Sequence, residues 1–252
     1  MDKNKFYISS IASDANDVAR KHNLGIEISD FCTADNMDIN YNETKEIVKK
    51  EIEGINRFTF HGPFNELFPS AIDTKARRLA MDRFIESYNL AKMYHANRII
   101  YHSGYYSNMY YPIWFKEKSI SFWREFFSSI DDAIMVCMEN VFDDDPEVLI
   151  NIIDEVNNPN FKICLDIGHA NCYTKISVLD WIKRLNKRIG HFHIHNNDGF
   201  VDTHNGINDG IINMKEVFEA INVYAPNATI TLEVLESKES VDWLIKEGII
   251  DE

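Results

Sequence analysis

Short apolar runs, rich in β-branched and aromatic residues, alternate along this chain with longer segments of mixed polarity. The runs are KFYISSI (5–11), LGIEIS (24–29), NRFTFH (56–61), NRIIYH (97–102), AIMVCME (133–139), FKICLD (161–166), IGHFHIH (189–195) and ATITLE (228–233). Several are near-continuous in apolar character, which predicts strands covered on both faces. Between them the period lengthens. Residues 70–95 carry Leu79, Phe84, Ile85, Tyr88 and Ala91 at helical spacing, with Ser70 expected as N-cap and Asp73 at capping-box spacing. Asp145-Pro146 opens another helix. Residues 178–187 and 240–248 supply two more, the last closed by Gly248, and a weaker pattern marks 42–53.

Eight strands alternating with helices predict parallel pairing through right-handed crossovers. The length of 252 residues is usual for one closed α/β barrel. No GxGxxG follows the first strand, as an open dinucleotide-binding sheet would often show. No repeat, low-complexity stretch or Pro/Gly-rich linker divides the chain. The expectation is an α/β protein, a single (β/α)8 TIM barrel, with residues 1–252 forming one domain.

Charge changes the picture of partners. The formal net charge is −14, from 26 Lys+Arg against 40 Asp+Glu. Proteins that live on nucleic acid usually show a basic face, because Lys and Arg contacts to phosphate supply most of the binding energy. A nucleic-acid partner is therefore disfavoured. The start, MDKNKFYISS, lacks the apolar core of a signal peptide, and no run approaches membrane-spanning length. The four cysteines show no CxxC, and Cys137 and Cys164 fall inside apolar runs. Buried free thiols and a cytoplasmic location are expected.

The polar residues that end the strands form the candidate chemistry. Strand 3 ends at His61, strand 4 at His102, strand 5 at Glu139, and strand 6 at Asp166 with His169 three residues on. Strand 7 carries His191, His193 and His195, with Asp202 and His204 in its loop, and strand 8 ends at Glu233. All belong at the C-terminal mouth of a barrel, where barrel enzymes place their chemistry. Any one of these residues alone is ordinary structure. Together, ionised carboxylates and histidines at one mouth repel or stay unpaired unless a cation sits among them. Mixed imidazole and carboxylate donors suit zinc, manganese or iron.

Alternation sorts strand 7. His191, His193 and His195 share one face, and Phe192 and Ile194 take the other. His191 and His195 are about 13 Å apart along the strand, too far to share one ion comfortably. His191 is expected deepest, His193 as a ligand, and His195 at the rim as ligand, supporting group or substrate contact. The aromatic residues after strand 4, including Tyr105 and Trp114, are candidates to cover an apolar sugar face, or else simply pack the loop.

These motifs, HGPF, HSG, MEN, LDIGHAN, GHFH, DTH and TLE, run in order along essentially the whole chain. In this the sequence resembles the xylose isomerase-like barrel superfamily, which includes endonuclease IV-type AP endonucleases and many sugar (phosphate) isomerases and epimerases. Resemblance to ketose 3-epimerases implies metal ligands at Glu139, Asp166, His193 and Glu233. The two glutamates would also be the proton-transfer pair, and His169 a substrate contact. The arginine that follows the GHFH-type motif in that group is absent here, where the chain reads HNNDG. Resemblance to endonuclease IV-type enzymes implies a trinuclear zinc site on His61, His102, Glu139, Asp166, His169, His193, Asp202, His204 and Glu233. Aligning GHFHI on the strand selects His193; a shift of two selects His195.

The favoured expectation is a metal-dependent isomerase or epimerase of a small sugar, sugar phosphate or polyol. It would use one to three ions, zinc or manganese, a metal-stabilised enediolate, and Glu139 and Glu233 as acid and base. The alternatives are an endonuclease IV-like multinuclear phosphodiesterase and a non-catalytic metal-binding barrel. Oligomeric state stays open.

Overall fold

The computed structural model describes residues 1–107, 109–131 and 133–251. Eight parallel strands close into one barrel in sequence order. They are β1 (Phe6–Ser9), β2 (Gly25–Ile28), β3 (Phe58–His61), β4 (Arg98–His102), β5 (Met135–Glu139), β6 (Phe161–Asp166), β7 (Ile189–Ile194) and β8 (Thr229–Leu232). β8 returns to β1 through the pairs Phe6↔Ile230 and Ile8↔Leu232. The chain is thus a single (β/α)8 TIM barrel. Each strand lies inside its expected run.

The helices are α1 (Ala15–His22), α2 (Ala34–Met37), α3 (Tyr41–Glu51), α4 (Thr74–Met93), α5 (Pro112–Ser129), α6 (Pro146–Val156), α7 (Ile167–Tyr173), α8 (Val178–Leu185), α9 (Met214–Tyr224) and α10 (Lys238–Lys246). The weak pattern at 42–53 is realised as α3. The start of α4 differs from expectation. Asp73 is its N-cap, accepting from the amides of Lys75 (2.7 Å) and Ala76 (3.4 Å), while Ser70 is buried with its hydroxyl unpartnered. Asp and Ser cap about equally well, so the burial of Ser70 decides between them. Leu79 is 48% exposed and faces away from the core. α5 was not foreseen. Of the aromatics expected to cover a sugar face or to pack the loop, Trp114 and Phe115 fall in α5, and Phe115 is buried, as the packing alternative has it, together with Phe122, Trp123 and Phe126. Among the described residues no helix is long and apolar enough to cross a membrane.

Alternation along the strands makes two interiors. Ile26, Ile28, Phe60, Ile99, Leu165, Phe192, Ile230 and Leu232 join the large apolar layer shared with the helices. Ile100, Cys137 and Cys164 form a separate small cluster. All four cysteines are free, and Cys137 and Cys164 are buried, as expected.

The barrel floor is polar and closed. Thr229 lies 2.6 Å from His191 Nδ1, and His191 Nε2 is 2.9 Å from Thr231 Oγ1 and 3.2 Å from Glu27 Oε2. Thr59 and Thr231 each donate to Glu27 Oε2 at 2.9 Å. Burial drives the His191 pKa down to about 4, so the ring is neutral, donating from Nε2 and accepting at Nδ1.

One irregularity sets the phase of β7. Ile163 pairs with Ile189, but the next residue, Cys164, pairs with His191. Gly190 is therefore a bulge. A side chain there would meet Lys162 Cβ at 2.6 Å. Beyond the bulge, His193 stands opposite Asp166 and Thr231.

Candidate metal centre at the barrel mouth

The strand ends deliver their polar residues to one place. His61, His102, Glu139 and Asp166 close β3 to β6, His193 is one residue short of the end of β7, and Glu233 follows β8. His169 comes from the first turn of α7, and Asp202 and His204 from the loop after β7.

Three carboxylates converge on one ring nitrogen. His193 Nδ1 lies 3.2 Å from Glu139 Oε1, 3.1 Å from Glu233 Oε2 and 3.9 Å from Asp166 Oδ2. The ligand atoms of Glu139, Asp166, His193 and Glu233 all fall within 4.8 Å of one another. Glu139 Oε2 also faces His61 Nε2 (3.4 Å) and His102 Nε2 (3.6 Å). Beside this centre, His169 Nε2 and His204 Nε2 each lie 3.2 Å from Asp202 Oδ2.

The ring orientations say what is missing between these groups. His61 Nδ1 lies 2.9 Å from the Gly62 carbonyl, His169 Nδ1 2.9 Å from that of Asn140, and His204 Nδ1 2.9 Å from that of Glu233. A carbonyl only accepts, so each Nδ1 donates. Each Nε2 of the neutral ring is then an acceptor aimed at a carboxylate oxygen. Acceptor faces acceptor unless a proton or a metal ion lies between. Among the described residues, Glu139 Oε2, Asp202 Oδ1 and Glu233 Oε2 are buried without a hydrogen-bond partner. This donor set fits divalent ions that accept mixed nitrogen and oxygen ligands.

Titration follows the same logic. Burial opposes ionisation of Glu139, yet His193, His102 and His169 hold its carboxyl well below the usual value. Burial likewise opposes the charge on Asp166, and His169 and His195 bring it to about 2. Against burial, His169 is raised well above the ordinary histidine value by Asp166, Asp202 and Glu139, and His193 by Cys164 and then Glu233, Glu27 and Glu139. His204 is raised to about 9 by Asp202, with burial again opposing. Burial wins at His102, which falls to about 3. Without an ion, protons on His169, His193 and His204 occupy the spaces between ligands.

A cavity of ≈ 340 Å³ opens above the centre, bordered by His61, His102, Glu139, His169, Asp202, His204 and Glu233, with Ser29, Cys32, Ile11 and Phe64 completing the wall. Among the described residues no Lys or Arg lines it.

Residues 20–247 match the family model of the xylose isomerase-like TIM barrel. The chain belongs to this family. A curated relative is the uncharacterized protein MJ1311 of Methanocaldococcus jannaschii, 28% identical over 72% of this chain. The chain spans 65% of that relative's length, just under two thirds. Among solved structures, a D-tagatose 3-epimerase-like protein superposes with a TM-score of 0.77 at 23% identity, covering 97% of this chain and 96% of its own. The TTHB071 protein from Thermus thermophilus, soaked with ZnCl2, gives 0.74 at 19% identity, covering 96% of this chain and 97% of its own. At these identities the likeness is one of fold.

Three sequence expectations shift within this xylose isomerase-like barrel. His195 does not stand at the rim: it is fully buried, with Nε2 3.1 Å from both Asp166 oxygens and its ring stacked on His204 at 4.2 Å. Its neighbour is Gly168, where an added Cβ would lie 1.9 Å from His195 Cε1, so the α7 turn closes directly over the ring. That geometry sets His195 against Asp166, and its ring nitrogen also falls within 4.8 Å of ligand atoms of His204 and Glu233, so it stays a ligand candidate. Trp114 borders neither this cavity nor the one beside it. Pro112 starts α5, and Trp114 sits half-exposed on its first turn against Tyr111. Tyr105 is 2% exposed and packed on Phe115, contributing only to the wall of the neighbouring cavity.

Glu27 is the residue the sequence reading missed. Its Oε1 lies 3.0 Å from His193 Nε2, behind the ligand ring, while Oε2 is tied into the floor. A carboxylate on the far nitrogen fixes a ligating ring's orientation and raises its basicity. Burial opposes the Glu27 charge, but His193 and His191 keep its pKa well below the usual value. The signal was there: an acidic residue inside the apolar run LGIEIS needs a buried partner. Asn140, next to Glu139, also escaped notice. Its side chain brackets the Asp166 backbone, donating to the carbonyl and accepting from the amide, both at 2.9 Å.

Proposed function

We propose that this protein is a metal-dependent isomerase or epimerase of a small polyhydroxylated carbonyl compound. The observation that carries this reading is the approach of Glu139 and Glu233, from β5 and from the end of β8, to His193 Nδ1 at the edge of the cavity. A divalent ion held by Glu139, Asp166, His193 and Glu233, zinc or manganese by donor type, would polarise a substrate carbonyl and acidify the neighbouring carbon. Glu139 and Glu233 each keep a buried oxygen without a hydrogen-bond partner. One takes the proton from carbon and the other returns it from a different side. His169 borders the cavity and orients a substrate hydroxyl.

The cavity's size suits a small molecule, and its lack of Lys and Arg disfavours a phosphorylated one. The charge of −14 disfavours nucleic acid. Likeness in fold to a D-tagatose 3-epimerase-like protein supports the same class. Solvent deuterium should enter a ketose at carbon when metal-loaded protein is incubated with a broad panel, and Glu139→Gln or Glu233→Gln should stop it. No exchange across ketoses, their phosphates and ketoses bearing an aryl group, with metal content verified, overturns the proposal.

The trio His169, Asp202 and His204 favours a second reading, multinuclear hydrolysis of a small phosphoester. Elemental analysis separates the two. About one ion per chain supports the isomerase, and about three, with nicking of an abasic duplex or cleavage of a phosphoester, supports the hydrolase.

A further inference from the structure

A second cavity, ≈ 410 Å³, adjoins the first and shares Phe64 and His102 with it. Phe64 stands on the boundary, its ring stacked on His102 with centroids 4.3 Å apart. The rest of the lining comes from the loops after β3, β4 and β5, where the rings of Phe68, Tyr106 and Phe142 stand beside Leu67 and Val141 and the polar Asn65 and Glu66. Tyr106 packs 4.7 Å from Phe142 and 6.1 Å from Phe68. These rings keep part of their surface open, although Tyr105 and Phe115 directly behind them are buried. The walls are tied to one another. Tyr106 and Phe142 form a backbone bridge, and Ser103 Oγ donates to Asp143 at 2.7 Å, joining the β4 loop to the β5 loop. Among the described residues no Lys or Arg lines this cavity, and the one carboxylate that does is Glu66.

We infer that the second cavity is the subsite for a flat, apolar arm of the substrate, whose carbonyl head sits between Glu139 and Glu233. The inference rests on the isomerase reading. Preformed ring walls favour a planar apolar group, whose burial removes open aromatic surface from water. A phosphate or carboxylate arm would meet Glu66 with no cationic side chain to receive it. A bare polyol would leave the ring faces wet.

Three hydroxamates share one chelating head and differ in the arm: acetohydroxamate, 3-phenylpropanohydroxamate and succinic monohydroxamate. Titration calorimetry on the metal-loaded protein should rank them phenyl, then methyl, then carboxylate, with the phenyl arm about tenfold tighter than methyl. Tyr106→Glu, at an exposed wall position, and Phe142→Ala should each bring the phenyl-to-methyl ratio toward one. Equal affinities, or preference for the carboxylate arm, overturn the inference and leave the reaction reading standing. Failure of all three to bind overturns the metal reading and the inference with it.

Discussion

On the barrel floor His191 uses both ring nitrogens in hydrogen bonds, and Glu27 Oε2 takes donors from Thr59 and Thr231. At the mouth His61, His169 and His204 satisfy one nitrogen on a backbone carbonyl and aim the other at a carboxylate. Both regions use buried histidine and carboxylate. On the floor hydroxyls complete the circuit, so every donor meets an acceptor. At the mouth, among the described residues, the Nε2 atoms of His61, His169 and His204 face carboxylate oxygens and not hydroxyls, and acceptors confront one another. Composition therefore does not separate a structural histidine from a ligand. The partner on the second nitrogen does.

The sharpest break of this comparison is Glu139→Gln, because Glu139 faces His61, His102, His169 and His193 together. Activity should fall about 10³-fold, with metal content reduced and the circular dichroism spectrum kept. Retained metal and turnover would show that Glu139 is neither a ligand nor the acid-base group. Next comes Glu27→Gln, at the seam between the two regions. Metal affinity measured by chelator competition should weaken roughly 10–100-fold, with the same stoichiometry at saturation.

Thr231→Val attacks the floor alone. It removes a donor to Glu27 and an acceptor for His191, and should cost about 1–3 kcal/mol in denaturant unfolding with metal stoichiometry unchanged. The smallest effect is in protons. His204 is raised to about 9 and so is charged at pH 7 in the ion-free protein, whereas His191, near 4, is neutral. An ion on Glu139, Asp166, His193 and Glu233 must displace the proton that burial among carboxylates keeps on His193, and an ion on His169, Asp202 and His204 must displace the one on His204. Zinc titrations in buffers of different ionisation enthalpy should therefore show proton release at pH 7. Apparent affinity should rise with pH and level off above about 9, where that ring is already neutral. His191→Gln should leave the released protons unchanged.

The barrel was legible because each parallel strand, buried on both faces, writes itself as an apolar run. The first turn of α4 and the whole of α5 were less so. Asp73 and Ser70 both have capping side chains, and only the tertiary packing that buries Ser70 decides between them. The aromatics after β4 read equally as sugar cover or as loop packing, and only the helix that Pro112 starts shows Phe115 turned to the core while Trp114 stays half-exposed. At the site, residues ending strands were readable because strand ends share one address. Glu27 sits one layer below, where no motif marks it. His195 has the right parity for the mouth, but Gly168 lets the next turn close over it.

Gly190 carries a consequence of another kind. Had pairing continued evenly from Ile163↔Ile189, Phe192 would stand opposite Asp166 and the histidines of β7 would point into the helical layer. The single unpaired residue works as a half-period delay, inserted at the quiet end of the barrel and read out at the reactive end. A chain can keep all of its ligands and still lose the centre. A bulky residue at position 190, pressed against Lys162, would do so by forcing the strand to abandon its delay.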